Sequence, residues 1–154
     1  MSQAPPHTPA DEIIGQIGLF FRRSQALYQL IRPDEDRSLE RPAYILLGMI
    51  ETAGPVRLTA LAVTAQLNLS TISRQVSALE GAGLIIREQD PADGRASLVR
   101  VSELGRIALE RNHNRWRDEL TAMLADWDEK ERDEFARLFT RLNEAMAERC
   151  AEDR

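Results

Sequence analysis

The sequence predicts a mainly α-helical protein with one small β-hairpin near its centre, in the order α-α-α-α-β-β-α-α. Three observations support this prediction. Apolar residues recur at three- and four-residue spacing in both terminal thirds of the chain, which is the period of an amphipathic helix. Two short helical segments joined by about four residues occupy positions 59–80. The pattern then changes to that of short strands between residues 84 and 101.

The N-terminal third predicts two helices. The first carries apolar residues at helical spacing over positions 13–31 and is followed by a polar turn at 33–37. Ser38 is a suitable N-cap for the second helix, which has Pro42 in its first turn. Gly54-Pro55 is expected to end it.

Two shorter helices are predicted in the middle of the chain. The first covers Thr59 to Ala65, and the second covers Ser70 to Glu80. Either Asn68 or Ser70 is suited to cap the second helix, because both side chains offer an oxygen to the free amides of a first turn. The apolar face of this helix consists of Ile72, Val76 and Leu79.

A hairpin follows these helices. Short strands are predicted at 84–86 and at 98–101, and the turn-rich segment 90–94 lies between them. The two strands are short relative to the segment that separates them. The sequence therefore predicts a hairpin with a long tip.

The C-terminal third predicts two more helices. Ser102 with Glu103 begins a long helix that is expected to end near Trp127. Asp128 and Glu131 have the spacing of a capping box for the last helix. The apolar stripe of that helix consists of Phe135, Leu138, Phe139, Leu142 and Met146.

The predicted elements divide the chain into three parts. Residues 1–53 hold the N-terminal helices, residues 54–101 hold a compact central domain, and residues 102–154 hold the C-terminal helices. The long terminal helices have little within one chain against which to bury their apolar stripes. Dimerisation explains them better than a monomeric core, and it would place two central domains about a two-fold axis.

Composition limits the class of protein. The net charge is −5, but it is unevenly distributed, with −2 in residues 1–53, +1 in residues 54–106 and −4 in residues 107–154. No apolar run is long enough to cross a membrane, and no secretory signal is visible at the N-terminus. The single cysteine, Cys150, excludes an intramolecular disulfide, and His7 and His113 are too few for a metal cluster. The sequence therefore predicts a cytoplasmic protein without a metal or other cofactor.

The outward face of the second short helix has the composition of a helix that reads DNA. Small residues let a helix approach the floor of the major groove, and forked donors such as arginine and glutamine read base edges. An ordinary solvated helix face rich in serine is the alternative interpretation. The candidate DNA-binding residues on this helix are Ser70, Thr71, Ser73, Arg74, Gln75 and Ser77.

The hairpin offers a second candidate contact with DNA. Arg95 lies just past the tip and two residues after Asp93, so the carboxylate is placed to order the turn and to hold the guanidinium outward. A narrow minor groove attracts an arginine in that position. An incidental Asp-Arg pair on a plain hairpin is the alternative.

The central motifs resemble those of the MarR family of winged helix-turn-helix transcriptional regulators. The resemblance rests on segments 58–62, 70–87, 90–95 and 99–105, and it covers roughly residues 56–106. It implies a homodimer with intertwined terminal helices that binds a pseudo-palindromic operator in double-stranded DNA, usually as a repressor. Residues 70–77 would then read the major groove and Arg95 the minor groove. Gln66 departs from the family, which often has a glycine at the end of the first helix of the motif.

The resemblance also implies regulation by a small aromatic or phenolic effector. An arginine can pair with the carboxylate of such an acid, and a tyrosine can stack on its ring. Solvated arginines and core tyrosines are the alternative. The candidates near the junction of the central domain with the dimerisation region are Arg22, Arg23, Tyr28, Arg41 and Tyr44.

Two other classes of function are less consistent with the sequence. An enzyme would need a nucleophile with a base, paired carboxylates or a phosphate loop, and none is evident in the sequence. A winged-helix module that binds protein instead of DNA remains the alternative to a regulator. Cys150 lies near the C-terminus, away from the first helix where peroxide-sensing members of the family carry a cysteine, which favours an inert thiol.

Overall fold

The computed structural model describes residues 8–31 and 41–152. Within these ranges six helices and three strands follow one another along the chain: α1 (Pro9–Ile31), α2 (Arg41–Ala53), β1 (Val56–Arg57), α3 (Leu58–Ala65), α4 (Leu69–Gly81), β2 (Ile85–Asp90), β3 (Asp93–Val101), α5 (Glu103–Met123) and α6 (Glu129–Glu152). The chain forms two compact units, Met1–His113 and Asn114–Arg154. The predicted turn at 33–37, the Ser38 cap and His7 lie outside the described residues.

The predicted order of helices and hairpin is confirmed, with one addition. Strand β1 precedes α3 and pairs with β3, so the hairpin becomes a three-stranded antiparallel sheet in the order β1-β3-β2. Val56 of β1 lies opposite Val99 of β3, and Ile85 of β2 lies opposite Val101. A strand of two residues is too short to show a periodic pattern in the sequence. It forms because β3 offers an edge for pairing.

The core of the first unit lies where α2, α3 and α4 meet the sheet. Residues at spacings of three and four on α4 are fully buried, which confirms the apolar face that the sequence predicts. The sheet contributes alternate residues of β3 to the same core. The largest fully buried side chains are Leu47, Ile50, Leu61, Ile72, Val76, Leu79 and Val99.

The turn between α3 and α4 requires a left-handed residue. Gln66 ends α3 with φ 54° and ψ 38°, and it is the one non-glycine residue with positive φ in the described part of the chain. The backbone N–H of Leu67 then donates to the carbonyl oxygen of Ala62 at 3.1 Å, as in a helix end closed by glycine. The turn therefore has the geometry of a helix end closed by glycine, with a glutamine in that place, at a conformational cost of about 1 kcal/mol.

The end of the sheet and the start of α5 are joined by Ser102. Its hydroxyl donates to the carbonyl oxygen of Gly83 at 2.6 Å and accepts from the backbone N–H of Gly105 at 3.0 Å. Its own backbone N–H donates to the carbonyl oxygen of Leu84 at 2.9 Å. Ser102 therefore caps α5, which begins where the sequence predicts, and also fastens it to the chain that follows α4.

The prediction of a long hairpin tip was wrong. Strand β2 continues to Asp90 and β3 starts at Asp93, so that only Pro91 and Ala92 form the turn. The polar composition of 90–94 indicated a loop, but the cross-strand partner extends β2 and β3 through it.

The second unit consists of the end of α5 and of α6. Helix α5 ends at Met123, a few residues before the predicted end near Trp127. The predicted capping box is confirmed, because the backbone N–H of Glu131 donates to Asp128 Oδ1 at 2.8 Å and the N–H of Asp128 donates to Glu131 Oε2 at 2.9 Å. In the single chain the apolar stripe of α6 is exposed at all five of its positions, Phe135, Leu138, Phe139, Leu142 and Met146.

Candidate nucleic-acid interface

Helix α4 begins with a cap in which three donors meet one oxygen. Asn68 Oδ1 accepts from the backbone N–H of Thr71 at 2.9 Å, from the Thr71 hydroxyl at 2.7 Å and from the Ser70 hydroxyl at 2.8 Å. Of the two caps that the sequence allows, the structure uses Asn68. Because both hydroxyl hydrogens are engaged, Ser70 and Thr71 present acceptor oxygens to a ligand in this conformation.

The other candidate residues of α4 lie on its outward side. Ser73, Arg74 and Ser77 are exposed, and Gln75 is half-buried, as is Thr71 in the first turn. The face turned to the core is fully buried, so α4 cannot rotate without exposing it. Serine side chains leave room for close approach to bases, and Arg74 and Gln75 supply forked donors.

Arg95 lies in an irregular part of the hairpin. Gln89 of β2 pairs with Ser97, but the next residue, Asp90, pairs with Asp93. Residues 94–96 therefore have no pairing partner on β2, and Arg95 is the middle one of the three. A bulge of this kind turns a side chain out of the regular ladder.

Side chains replace the missing ladder around the bulge. Gln89 Nε2 donates to the carbonyl oxygen of Gly94 at 2.8 Å, and the backbone N–H of Arg95 donates to Asp93 Oδ1 at 3.2 Å. Asp93 thus contacts the backbone of Arg95, and its ordering of the turn stays a prediction. The Arg95 guanidinium is exposed and forms no ion pair with any described residue.

A second aspartate holds the start of the turn. Asp90 Oδ1 accepts a hydrogen bond from the backbone N–H of Ala92 at 2.8 Å, and Asp90 Oδ2 accepts one from Arg57 Nε at 2.7 Å. The Asp90 side chain is only 7% exposed. The Ala92 N–H, followed by Arg57, lowers the pKa of this carboxyl below its ordinary value.

The arginines of residues 54–101 fall into two groups. Arg57 pairs with Asp90, Arg87 with Glu80 at 3.1 Å and Arg100 with Glu88 at 2.9 Å. The other two, Arg74 and Arg95, have no carboxylate partner among the described residues. These two are the arginines that the sequence predicts as DNA contacts. A guanidinium that forms no ion pair donates to nucleic acid without first breaking one.

The predicted effector residues are only partly brought together. The Arg41 guanidinium lies over the Tyr28 ring, 5.7 Å from its centroid, and Arg41 Nη1 donates to Gln25 Oε1 at 3.0 Å. Tyr28 and Tyr44 are both buried, with 3% and 6% exposure. Arg22 and Arg23 are exposed on α1.

The described residues give three further findings. No set of three or more His, Cys, Asp or Glu side chains among them is placed to hold a metal ion. No helix among them combines the length and the apolar character needed to cross a membrane. Cys150 is a free, exposed thiol on α6.

Comparison with known proteins decides the family. The MarR family model matches residues 39–97. An HTH-type transcriptional regulator of Bacillus subtilis strain 168, YxaD, is 36% identical over 140 residues, which cover 90% of this chain and 95% of the relative. The chain belongs to the MarR family.

Solved structures agree with the fold of a MarR-family protein. RV1404 from Mycobacterium tuberculosis superposes with a TM-score of 0.78 at 24% identity, covering 92% of this chain and 97% of the other. Streptococcus pneumoniae FabT, solved in complex with DNA, gives 0.74 at 15% identity, with 90% and 98% covered. PcaV from Streptomyces coelicolor, solved with its natural ligand, gives 0.63 at 23% identity, with 95% and 99% covered.

Membership of the MarR family sets the general function. The family consists of transcriptional regulators rather than enzymes, and this chain is a DNA-binding transcriptional regulator with a winged helix-turn-helix fold. In this fold α3 and α4 form the helix-turn-helix, and β2 with β3 forms the wing.

Sequence reasoning missed two residues that hold the wing of this MarR-family protein. Asp90 precedes Pro91 at the start of a turn, where an aspartate commonly accepts the amide two residues later, so its role was accessible from local sequence. Arg57 was not accessible in this way. It lies 33 residues from Asp90, and only the pairing of β1 with β3 brings the two together.

Proposed function

We propose that the protein is a cytoplasmic homodimer that binds a pseudo-palindromic operator in double-stranded DNA and represses transcription from it. Helix α4 enters the major groove with Ser70, Thr71, Ser73, Arg74, Gln75 and Ser77, and the wing brings Arg95 to the minor groove. Asp93 orders the wing. Residues 54–101 form the reader, and residues 1–53 and 102–154 carry the dimerisation helices.

One observation carries this proposal. The arginines of the reader that lack a carboxylate partner among the described residues are Arg74 and Arg95. Arg74 is exposed on the outward side of α4, and Arg95 is exposed in the bulge of the wing. Major-groove helices and minor-groove wings need an available guanidinium at those two places. FabT, which shares the fold, has been solved in complex with DNA.

The exposed apolar surface of the terminal helices supports dimerisation. Ile14, Phe20 and Phe21 of α1 are exposed, as is the apolar stripe of α6. Aromatic rings lie in contact at the start of that stripe: Trp127 meets Phe135 edge to face at 5.5 Å between centroids, and Phe135 stacks on Phe139 at 5.7 Å. Exposed apolar surfaces of this kind are stabilised by burial against a partner, and a second copy of the chain provides that partner symmetrically.

The proposal is tested by selecting DNA with the wild-type protein from a pool of randomised duplexes. A two-fold symmetric consensus is expected, with half-sites about one helical turn apart. The DNA upstream of the protein's own gene is then tested by gel shift for the same sequence. Light scattering should give twice the chain mass of 17.4 kDa. Failure to enrich any sequence, with a dimer that is folded, would favour a protein-binding module instead.

We also propose that a small aromatic or phenolic acid releases the protein from DNA. The cations for its carboxylate come from Arg41 and from Arg22 and Arg23, which lie on α1 with Tyr28. Tyr28 and Tyr44 border the site. Because both rings are buried, they contribute walls rather than an open stacking surface. PcaV, which shares the fold, has been solved with its natural ligand.

Benzoate and 4-hydroxybenzoate serve as probes for this effector site. Each is titrated into the complex of wild-type protein and selected duplex, with fluorescence anisotropy as the readout. Release is expected for at least one acid, and Arg41→Gln should raise the concentration needed. Benzamide, which has no carboxylate, is the control. Equal release by benzamide would show that no arginine-carboxylate pair is involved.

A further inference from the structure

Arg57 connects the start of the helix-turn-helix to the wing. It is the last residue of β1 and the residue immediately before α3, and its backbone is opposite Leu98 of β3. Its neighbour Val56 is opposite Val99, which is fully buried. The backbone of Arg57 is therefore fixed by the core of the reader.

The Arg57 guanidinium lies beside the two aspartates of the wing turn. Its Nε donates to Asp90 Oδ2 at 2.7 Å, and its Nη2 is 4.0 Å from Asp93 Oδ2. The other oxygen of each carboxylate accepts a backbone amide of the turn, that of Ala92 at 2.8 Å and that of Arg95 at 3.2 Å. One cation thus donates to Asp90 and lies at ion-pair distance from Asp93, and each carboxylate holds one amide of the wing.

This arrangement replaces the ladder that the bulge interrupts. Residues 94–96 have no partners on β2, so the backbone pairing of the hairpin does not fix Arg95. Asp90 is nearly buried, and a buried carboxylate is costly unless a cation or donors accompany it. Removing Arg57 would therefore free the side chains that hold the turn.

We propose that Arg57 is a positioning residue for DNA binding: it orients Asp90 and Asp93 and thereby places Arg95 against the minor groove. Arg57 does not itself contact DNA, because its charge is matched by the two carboxylates. This inference rests on the proposed function, and it adds a residue outside α4 and the wing to the DNA-binding machinery.

The proposal predicts that opposite changes of charge have the same effect. Arg57→Gln removes a positive charge and Asp90→Ala removes a negative one, so simple electrostatics predicts weaker and tighter DNA binding respectively. If both residues act by ordering the wing, both substitutions weaken binding, by about tenfold, because the free wing must then be ordered on DNA.

The test measures the dissociation constant of the selected duplex at several salt concentrations. Arg57→Gln should leave the slope of log K against log salt unchanged, whereas Arg95→Ala should lower it by about two for a dimer. In an Arg95→Ala background, Arg57→Gln should weaken DNA affinity by less than about twofold, because the side chain that Arg57 positions is absent. Arg100→Gln is the matched control, since it removes another carboxylate-paired arginine from the same sheet without touching the turn.

Two results would overturn the inference. The first is evidence that Arg57 contacts DNA directly. Such evidence is a lowered salt slope, or a loss of affinity from Arg57→Gln that is as large in the Arg95→Ala background as in the wild type. The second is wild-type affinity for Arg57→Gln. Should that variant fail to fold by circular dichroism, Arg57→Lys is used, which keeps the charge but lacks the fork and should still bind more weakly. Failure of the wild-type protein to select any duplex would instead reject the proposed function.

Discussion

Gly105 of α5 packs directly against the backbone of Leu84, so that a β-carbon at position 105 would overlap the Leu84 carbonyl oxygen and lie 2.7 Å from Val101 Cγ1. The same backbone segment is bonded to Ser102, whose N–H donates to the Leu84 carbonyl oxygen at 2.9 Å. Glycine therefore permits the close approach of α5 to the beginning of β2. Backbone atoms on the opposing side cannot move away as a flexible side chain would.

Gly105→Ala should destabilise the protein by about 2–4 kcal/mol, because the clash is with backbone and forces α5 away from the sheet. Urea denaturation followed by circular dichroism measures this. Gly81→Ala is the control, since a β-carbon there has no atom within 4 Å, and it should change stability by less than about 1 kcal/mol. Equal stability of the two variants would contradict the packing described here.

Asn68→Ala should destabilise the protein by about 1 kcal/mol, because it removes the acceptor that caps the first turn of α4. DNA binding should also weaken, since Ser70 and Thr71 lose the oxygen that orients their hydroxyls. Asn68→Asp separates the two effects. It keeps the cap and should keep stability, but its negative charge at the DNA-facing end of α4 should still weaken binding. Thermal melts and anisotropy titrations on both variants check this.

Arg74→Ala should weaken binding to the selected duplex by about 1–3 kcal/mol, and binding to random DNA by much less, because it removes a base-edge contact. Competition between the two DNAs measures the ratio directly. Equal losses on both would identify Arg74 as a phosphate contact instead. Stability should not change, since Arg74 is exposed and unpaired among the described residues.

Arg95→Ala and Asp93→Ala should both weaken DNA binding, but for different reasons. Arg95→Ala removes the charge in the minor groove and lowers the salt slope by about one unit in each half of the dimer. Asp93→Ala removes a negative charge, yet it also removes the acceptor of the Arg95 N–H, so the turn must be ordered on DNA. Titrations across several salt concentrations separate the two. Tighter binding by Asp93→Ala at every salt would show that it has no ordering role.

Asp90 should make stability depend on pH in the acid range. Its pKa is lowered in the folded protein, so its ionised form stabilises the fold above the unfolded-state pKa of about 3.9, and this contribution is lost as pH falls through the lower folded-state pKa. The wild type should therefore be more stable than Asp90→Asn near neutral pH, and the difference should shrink below about pH 4. Unfolding free energies of both proteins, measured from pH 7 to pH 3, check this. A difference that is constant with pH would contradict it.

The sequence by itself determined the helices, the presence of a hairpin and the outward face of α4. These features depend on interactions between residues three or four apart, such as the buried Ile72, Val76 and Leu79, or on a local cap such as Asn68. Such interactions are visible in a single stretch of sequence. The motifs of the central region, which identify the family, are likewise made of residues that are close together in the sequence.

The tertiary structure alone decided β1, the bulge that presents Arg95, the Arg57-Asp90 pair and the contact of Gly105 with Leu84. Each of these joins atoms of segments that are distant in sequence or are held by such segments. Strand β1 exists because β3 offers an edge, and Arg57 meets Asp90 because β1 pairs there. The periodicity of a segment records its own exposure to the core, but it contains no information about which distant partner completes its hydrogen bonds and ion pairs.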